Sequence, residues 1–375
     1  MRVLALNWRD IRHPEAGGAE VHIHEILSRL AAAGHGTTLI SSGFPGCERD
    51  LEIDGVRILR RGRWYDANLV LPLFARRHMK HSGYDVVLED INKLPFFMPL
   101  YTDTPVVPVI PHLFGTTVFR EANWLIGAYV VLMEKLIPSV FRKNRFMVIS
   151  PSTRDDLVER GVDRGRIDVI LCGLDHSTYR DLGLERYERP TIVHLGRLRK
   201  YKSIDVALKA MAVIRRRLPG ARLLIVGDGP YGEELRRIAG SLDLGDSVEF
   251  LGYRDPESLV EILNRSHLLL NPSPKEGWGL TVVEANACGV PVVASDRPGL
   301  RDSVIDGTTG FLVPYGDPNA FAEKSLEILE DEELWRRLSG GALQRVSSLT
   351  WERCASETLE VLEEVTGDAG RKDAR

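Results

Sequence analysis

Two carboxylates at a fixed spacing, Glu276 and Glu284, flank the glycines Gly277 and Gly279 in the stretch HLLLNPSPKEGWGLTVVEANACGVPVVAS, residues 267–295. The stretch opens on a short apolar run, residues 268–270, of buried-strand length, and Pro272 and Pro274 stop it. A helix is expected from about Leu280 to Ala287, closed by Gly289, with the next strand over 290–294. The N–H groups of Gly279, Leu280 and Thr281 then lie at a helix start with no intrahelical acceptor. Free donors and the helix dipole together favour a phosphate there. Carboxylates beside a phosphate repel it unless they point elsewhere, and their natural partners are neutral hydroxyls. Phosphate, ribose and sugar together describe a nucleotide sugar. The competing account is two solvated glutamates around a surface helix. The apolar strands on either side of the unit favour the site.

Strand and helix signals alternate along the whole chain, the pattern of a parallel sheet built from strand–helix–strand units. Residues 2–7 form an apolar strand, followed by the turn Ala16-Gly17-Gly18-Ala19-Glu20 and a helical pattern over 19–33. This is a second phosphate-capable helix start, although a tight turn that needs glycine explains it equally well. Strands are expected at 37–41, 56–59, 86–89, 106–110 and 146–150, and His112 follows the fourth of these. The end of a strand is where open α/β sheets place ligands. In the second half, the strand at 191–195 leads into Gly196-Arg197-Leu198-Arg199-Lys200-Tyr201-Lys202. The strand at 222–226 leads into Gly227-Asp228-Gly229-Pro230-Tyr231-Gly232, which satisfies G-x-G-x-x-G. A dinucleotide fingerprint belongs in the first such unit of its domain, with an acid about 20 residues later at a strand end. Glu249 falls inside a strand instead, which argues against a nicotinamide dehydrogenase.

The 375 residues suit two domains of ordinary size. Net charge is -4, which speaks against a general nucleic-acid binder. Cys47, Cys172, Cys288 and Cys354 are far apart and form no C-x-x-C pair, as expected of reduced thiols in a cytoplasmic protein with no zinc site. No signal peptide is read at the N-terminus and no apolar run reaches bilayer length. Residues 124–141, WLIGAYVVLMEKLIPSVF, are expected to form a core helix. The alternative is an interfacial helix giving peripheral contact with the inner face of a membrane. Arg57, Arg60, Arg61 and Arg63 are read as a solvated face, with a surface for lipid headgroups or a charged acceptor as the alternative.

The E-x7-E spacing and its glycine loop resemble the retaining glycosyltransferases of family four, which have the GT-B architecture. The resemblance covers nearly the whole chain and is strongest over 191–313. It implies an α/β fold of two doubly wound Rossmann-like domains facing across a donor-binding cleft. It implies contact of Glu276 with the donor sugar and of Glu284 with the ribose hydroxyls. Gly17 and Gly18 match the family's N-terminal loop that lines the donor diphosphate, and His112 matches a histidine near the donor sugar. Arg197 and Lys202 match the diphosphate-binding pair. Gly227 and Gly229 match the segment beside the nucleotide, and the backbone ending at Tyr253 matches the one that meets the nucleobase. Cys172 stands where the family usually has Asn, and Ser203 where it often has Gly.

The domains expected on this basis are 1–186 with a crossing helix over 350–366, then 187–349, with a charged linker at 181–189 and a disordered tail at 367–375. The expected reaction moves a sugar from a UDP- or GDP-sugar to an acceptor hydroxyl with retention, without metal or other cofactor. A sugar, glycolipid or polysaccharide of the cell envelope is the expected acceptor. A sugar-phosphate or sucrose-type synthase on the same scaffold is the first alternative, and a non-catalytic nucleotide-sugar-binding module the second.

Overall fold

The computed structural model describes residues 1–120 and 123–373. Its chain divides into one unit of Met1–Gly173 plus the C-terminal segment from Trp351, and a second unit, Leu174–Thr350.

The first unit holds strands β1 (Arg2–Leu6), β2 (Gly36–Ser41), β3 (Asp50–Ile53), β4 (Val56–Arg60), β5 (Val86–Asp90), β6 (Val106–Ile110), β7 (Phe146–Val148) and β8 (Ile167–Val169). Their order in the sheet is β3-β4-β2-β1-β5-β6-β7-β8. All neighbours are parallel except β3 and β4, an antiparallel hairpin. Strand β3 was not foreseen. Its turn is Asp54-Gly55, both at positive φ, the residue pair a tight hairpin prefers. β5 and β6 are buried along their length and β1 from Val3 onward, as parallel strands covered on both faces must be.

The second unit holds β9 (Thr191–Leu195), β10 (Arg222–Val226), β11 (Val248–Gly252), β12 (Leu268–Asn271), β13 (Val292–Ser295) and β14 (Gly310–Val313), all parallel, in the order β11-β10-β9-β12-β13-β14. Both sheets reverse direction of strand order beside their first strand: between β1 and β5, and between β9 and β12. Such switch points open a crevice at the strands' C-terminal ends.

Four expectations need correction. The boundary lies at Gly173, and the expected linker at 181–189 is fastened to the second unit. Asn264 accepts the Leu182 N–H at 2.7 Å, the Arg265 carbonyl accepts the Tyr187 N–H, and Leu174 bridges to Thr350. Charge without periodicity looked like a linker because these contacts, made by backbone groups and by the Arg186 and Arg189 side chains, leave no local sequence pattern. The last helix runs Trp351–Asp373 and so continues past Thr366, whose hydroxyl donates back to the Leu362 carbonyl instead of ending the helix. Residues 374 and 375 of the expected tail lie outside the described residues.

The helix Trp124–Val140 is not the core helix expected. It buries only Gly127, Val130, Glu134 and Ile137, followed by Phe141, a stripe spaced by three and four residues. Trp124, Leu125, Ile126, Tyr129, Leu132 and Leu136 face outward, Trp124 at 71% exposure. Apolarity on both faces had hidden which stripe packs. Finally, Arg60 belongs to no solvated face. It is buried against buried Asp10 through two bonds, Nε to Oδ2 at 2.8 Å and Nη2 to Oδ1 at 2.7 Å.

Candidate active site

The loops on either side of the second unit's switch point bring two of the expected residues into contact. After β9, the chain turns through Arg197 to Lys202. After β12, it turns through Glu276. Lys202 Nζ lies 2.6 Å from Glu276 Oε1, with both side chains largely buried. Burial pushes the Lys202 ammonium down, but the Glu276 carboxylate more than offsets this, and the net shift is upward. The lysine is therefore a fixed positive charge. Arg197 is exposed on the same loop.

Close backbone packing sets this geometry, and it explains several glycines. A Cβ on Gly227 would lie 2.0 Å from the Gly196 carbonyl oxygen, and one on Gly229 would lie 2.4 Å from that of Leu198. The G-x-G segment thus clasps the Arg197 loop, with Leu198 N–H donating to the Asp228 carbonyl. Any contact of these glycines with a nucleotide is additional to that packing. The loop after β13 does the same for Glu276. Gly299 sits so close that a Cβ would meet the Glu276 carbonyl oxygen at 2.1 Å, and Glu276 N–H donates to Pro298. Ser203, in the position where glycine was noted as usual, adopts φ +55°, the left-handed conformation glycine takes without cost.

Gly279 caps the helix Leu280–Ala287 at φ +84°. Gly277 lies between it and Glu276. Among the described residues the N–H groups of Gly279, Leu280 and Thr281 have no hydrogen-bond partner. Glu284 follows one turn into this helix. Burial pushes its carboxyl up to about 7, partly countered by the Tyr179 hydroxyl that bonds it. Tyr179 was missed: it lies in the segment assigned to the other domain. His194, also missed, is buried on β9 with Nδ1 2.9 Å from the Leu270 carbonyl, and burial lowers it to about 4. Its Nε2 has no partner, and Lys202 and Glu276 are among the charges acting on it. A histidine two residues before the Gly196 turn was the available signal. Tyr253 is exposed, and its N–H is occupied by Asp228 Oδ2 at 2.7 Å. A nucleobase at this edge therefore meets a donor that is already engaged.

In the first unit, Gly17 precedes the helix Gly18–Ala32, and its N–H donates to Glu20 Oε2 at 2.7 Å. His112 follows β6 and packs edge-on against Phe114, with centroids 4.9 Å apart. The loop carrying it is pinned by Glu134, whose carboxylate accepts the N–H groups of Phe114 and Gly115 at 2.6 and 2.9 Å. Glu134 comes from the buried stripe of the apolar helix, which makes it the polar member of an otherwise packing-only seam.

Two family models match the chain. Residues 16–178 match Glycosyltransferase Family 4 and residues 177–345 match Glycosyl transferases group 1. A D-inositol 3-phosphate glycosyltransferase of Nocardia farcinica is 36% identical over 217 residues, covering 53% of this chain and 48% of that protein. The chain thus spans about half the length of that relative. A glycogen synthase of Mycobacterium tuberculosis is 26% identical over 395 aligned positions, covering 96% of this chain and 94% of that protein. Among solved structures, sucrose-phosphate synthase from Thermosynechococcus elongatus superposes with a TM-score of 0.82 at 25% identity, covering 98% and 99% of the two chains. Anabaena HepE in complex with UDP-glucose superposes at 0.79 and 19% identity, covering 97% of this chain and 100% of that one.

Fold and comparisons together define a glycosyltransferase of the GT-B type. The chain belongs to the group 1 glycosyltransferases of family four.

Proposed function

We propose that this protein transfers a hexosyl group from a nucleoside diphosphate sugar to an acceptor hydroxyl, with retention of configuration and without a metal or other cofactor. The observation that carries this is the Lys202–Glu276 pair at 2.6 Å beside the open start of the Leu280–Ala287 helix. The diphosphate takes the free N–H groups of Gly279, Leu280 and Thr281, with Lys202 and Arg197 balancing its charge. Glu284 accepts the ribose hydroxyls, exchanging its Tyr179 bond for theirs. Glu276 accepts a sugar hydroxyl, and His112 and the Gly17–Gly18 loop are assigned to the donor sugar and the diphosphate on the family resemblance. The acceptor oxygen bonds to the anomeric carbon on the face the diphosphate leaves. The carbon–oxygen bond breaks toward the phosphate, which takes the acceptor's proton. Charge growing on the leaving diphosphate is what Lys202 and Arg197 stabilise most.

UDP is the favoured nucleotide, supported by the UDP-glucose in the Anabaena neighbour. A thermal-shift panel of UDP-, GDP- and ADP-sugars, followed by NMR of the product's anomeric signal, tests this reading. Stabilisation by one donor and an α-linked product from an α-linked donor are expected. An inverted product would remove the same-face mechanism.

A sugar-phosphate synthase on the same scaffold is the second reading, favoured by the end-to-end match to sucrose-phosphate synthase. Working in the cytoplasm, the enzyme also meets the inner membrane face through the outward stripe Trp124, Leu125, Tyr129 and Leu132. Large exposed apolar patches on monomers mark such contacts.

A further inference from the structure

Tyr315 lies outside the donor-site motifs and touches both loops that carry the Lys202–Glu276 pair. It follows β14 in the turn Pro314-Tyr315-Gly316. Its hydroxyl lies 3.0 Å from Ser203 Oγ, on the loop after β9. The Arg297 guanidinium, on the loop after β13, lies over its ring, 5.1 Å from the centroid. A cation over a tyrosine face is attracted by the negative face of the ring. Ser203 is the residue directly after Lys202. Arg297 precedes Pro298 and Gly299, which hold Glu276: the Pro298 carbonyl accepts the Glu276 N–H, and Gly299 packs against the Glu276 carbonyl.

Ser203 is held in a backbone conformation that serine rarely takes. It ends the turn Lys200–Lys202 and starts the helix Ile204–Arg217, with φ +55° and ψ +35°. A serine at a helix start normally has an extended backbone and caps the first turn with its hydroxyl. This one makes no such cap bond. The left-handed conformation crowds the Cβ of any L residue, and it persists only where the surroundings hold it. Here the Ser203 N–H donates to the Lys200 carbonyl at 3.1 Å, the Val206 N–H donates to the Ser203 carbonyl at 2.9 Å, and the buried side chain meets the Tyr315 hydroxyl. Release of Ser203 from that conformation would turn the chain directly after Lys202 and carry the ammonium away from Glu276.

We infer that Tyr315 is a positioning residue of the transfer reaction: through its hydroxyl on Ser203 it fixes the direction of Lys202, and through its ring under Arg297 it fixes the loop that holds Glu276. The inference rests on the glycosyltransferase reading above, which supplies the reaction whose rate is measured. Tyr315 acts through its neighbours and touches no reacting atom in this role. Glycine at 203 would make the Tyr315 hydroxyl unnecessary, because glycine takes the left-handed conformation without crowding. A tyrosine that only filled space after β14 would show no such dependence.

Steady-state release of nucleoside diphosphate from a panel of UDP-, GDP- and ADP-sugars, with thermal melting alongside, tests this on Y315F and Y315L, each with and without S203G, and on S203G alone. Y315F is expected to lower kcat by about tenfold with little change in donor KM, as a displaced Lys202 should, and to have no such effect in the S203G background. Tm should follow the same pattern, lowered by Y315F only where Ser203 is present. Y315L, which removes the ring as well, should stay slow in both backgrounds. Wild-type turnover in Y315F overturns the inference, as does an equal loss from Y315F with and without S203G. S203G as slow as Y315F would make the Ser203 hydroxyl itself the requirement and overturn it too. Full turnover by Y315L/S203G would overturn the part given to the ring. No release by the wild type from any donor would instead overturn the reading beneath, and the Tm comparison would still decide the Ser203–Tyr315 coupling.

Discussion

Glu284 lies one turn inside a helix whose open start suits a diphosphate, and burial holds its carboxyl up at about 7. An acid raised in the folded state keeps its proton up to that pH. The folded protein therefore gains stability from the protonated group below the ordinary carboxylate range and loses it as pH rises through 7. Accepting two ribose hydroxyls requires the ionised form. Affinity for UDP-glucose, whose diphosphate keeps its charge over this range, should therefore weaken by about tenfold from pH 8 to pH 6. In Glu284→Gln the profile should be flat, and calorimetry at the two pH values reads both. Lys202 bears on the reaction differently. In the proposed reaction its charge, held by Glu276, is needed most as the leaving group gains charge. Lys202→Ala should lower kcat by on the order of 100-fold with a smaller change in donor KM. A change in donor KM alone, with kcat unchanged, would make it a residue that binds donor uniformly. Glu276 and Glu284 were singled out in the sequence by their spacing in a strand–loop–helix unit, and Lys202 only by the family resemblance. Tyr179 and His194 were not, because a partner brought in from another loop leaves no local pattern.

At the scale of elements, the site depends on loops held by backbone contact. The Gly299 loop presses on Glu276, and a Cβ there would reach 2.1 Å from a carbonyl oxygen. Gly299→Ala should cost about 1–3 kcal/mol by overpacking and displace Glu276, seen as a lower Tm and a larger loss of kcat/KM than stability alone gives. Glu134 serves the His112 loop in the same way. Glu134→Ala strands two backbone donors, a cost of about 2–3 kcal/mol, and should slow single-turnover chemistry while UDP affinity holds. The order of strands and helices was readable from apolar runs and glycine turns. The β3 strand was not, since its pattern is half exposed and polar. The packed face of the Trp124–Val140 helix was unreadable for the opposite reason: both faces are apolar, and only the Phe119 ring against Gly127 and the Glu134 anchor distinguish them.

For the whole molecule, no helix among the described residues is long and apolar enough to cross a membrane, and the proposed membrane contact rests on the outward stripe of the Trp124–Val140 helix. Co-sedimentation with anionic liposomes should be measurable at low salt and fall when Trp124, Leu125 and Leu132 are replaced together by Ser, without change in UDP binding. Sequence placed the domain boundary too late because segment 174–190 joins the second unit through side-chain and backbone bonds that charge composition does not reveal. The Lys202–Glu276 pair and the adjacent helix start are proposed to handle a nucleotide sugar. Release of nucleoside diphosphate from a panel of UDP-, GDP- and ADP-sugars, compared between wild type and Lys202→Ala, tests it most directly. Release from at least one donor by the wild type, lost by about 100-fold in the variant, is predicted. Release at equal rates by both proteins, or from no donor by the wild type, would contradict it.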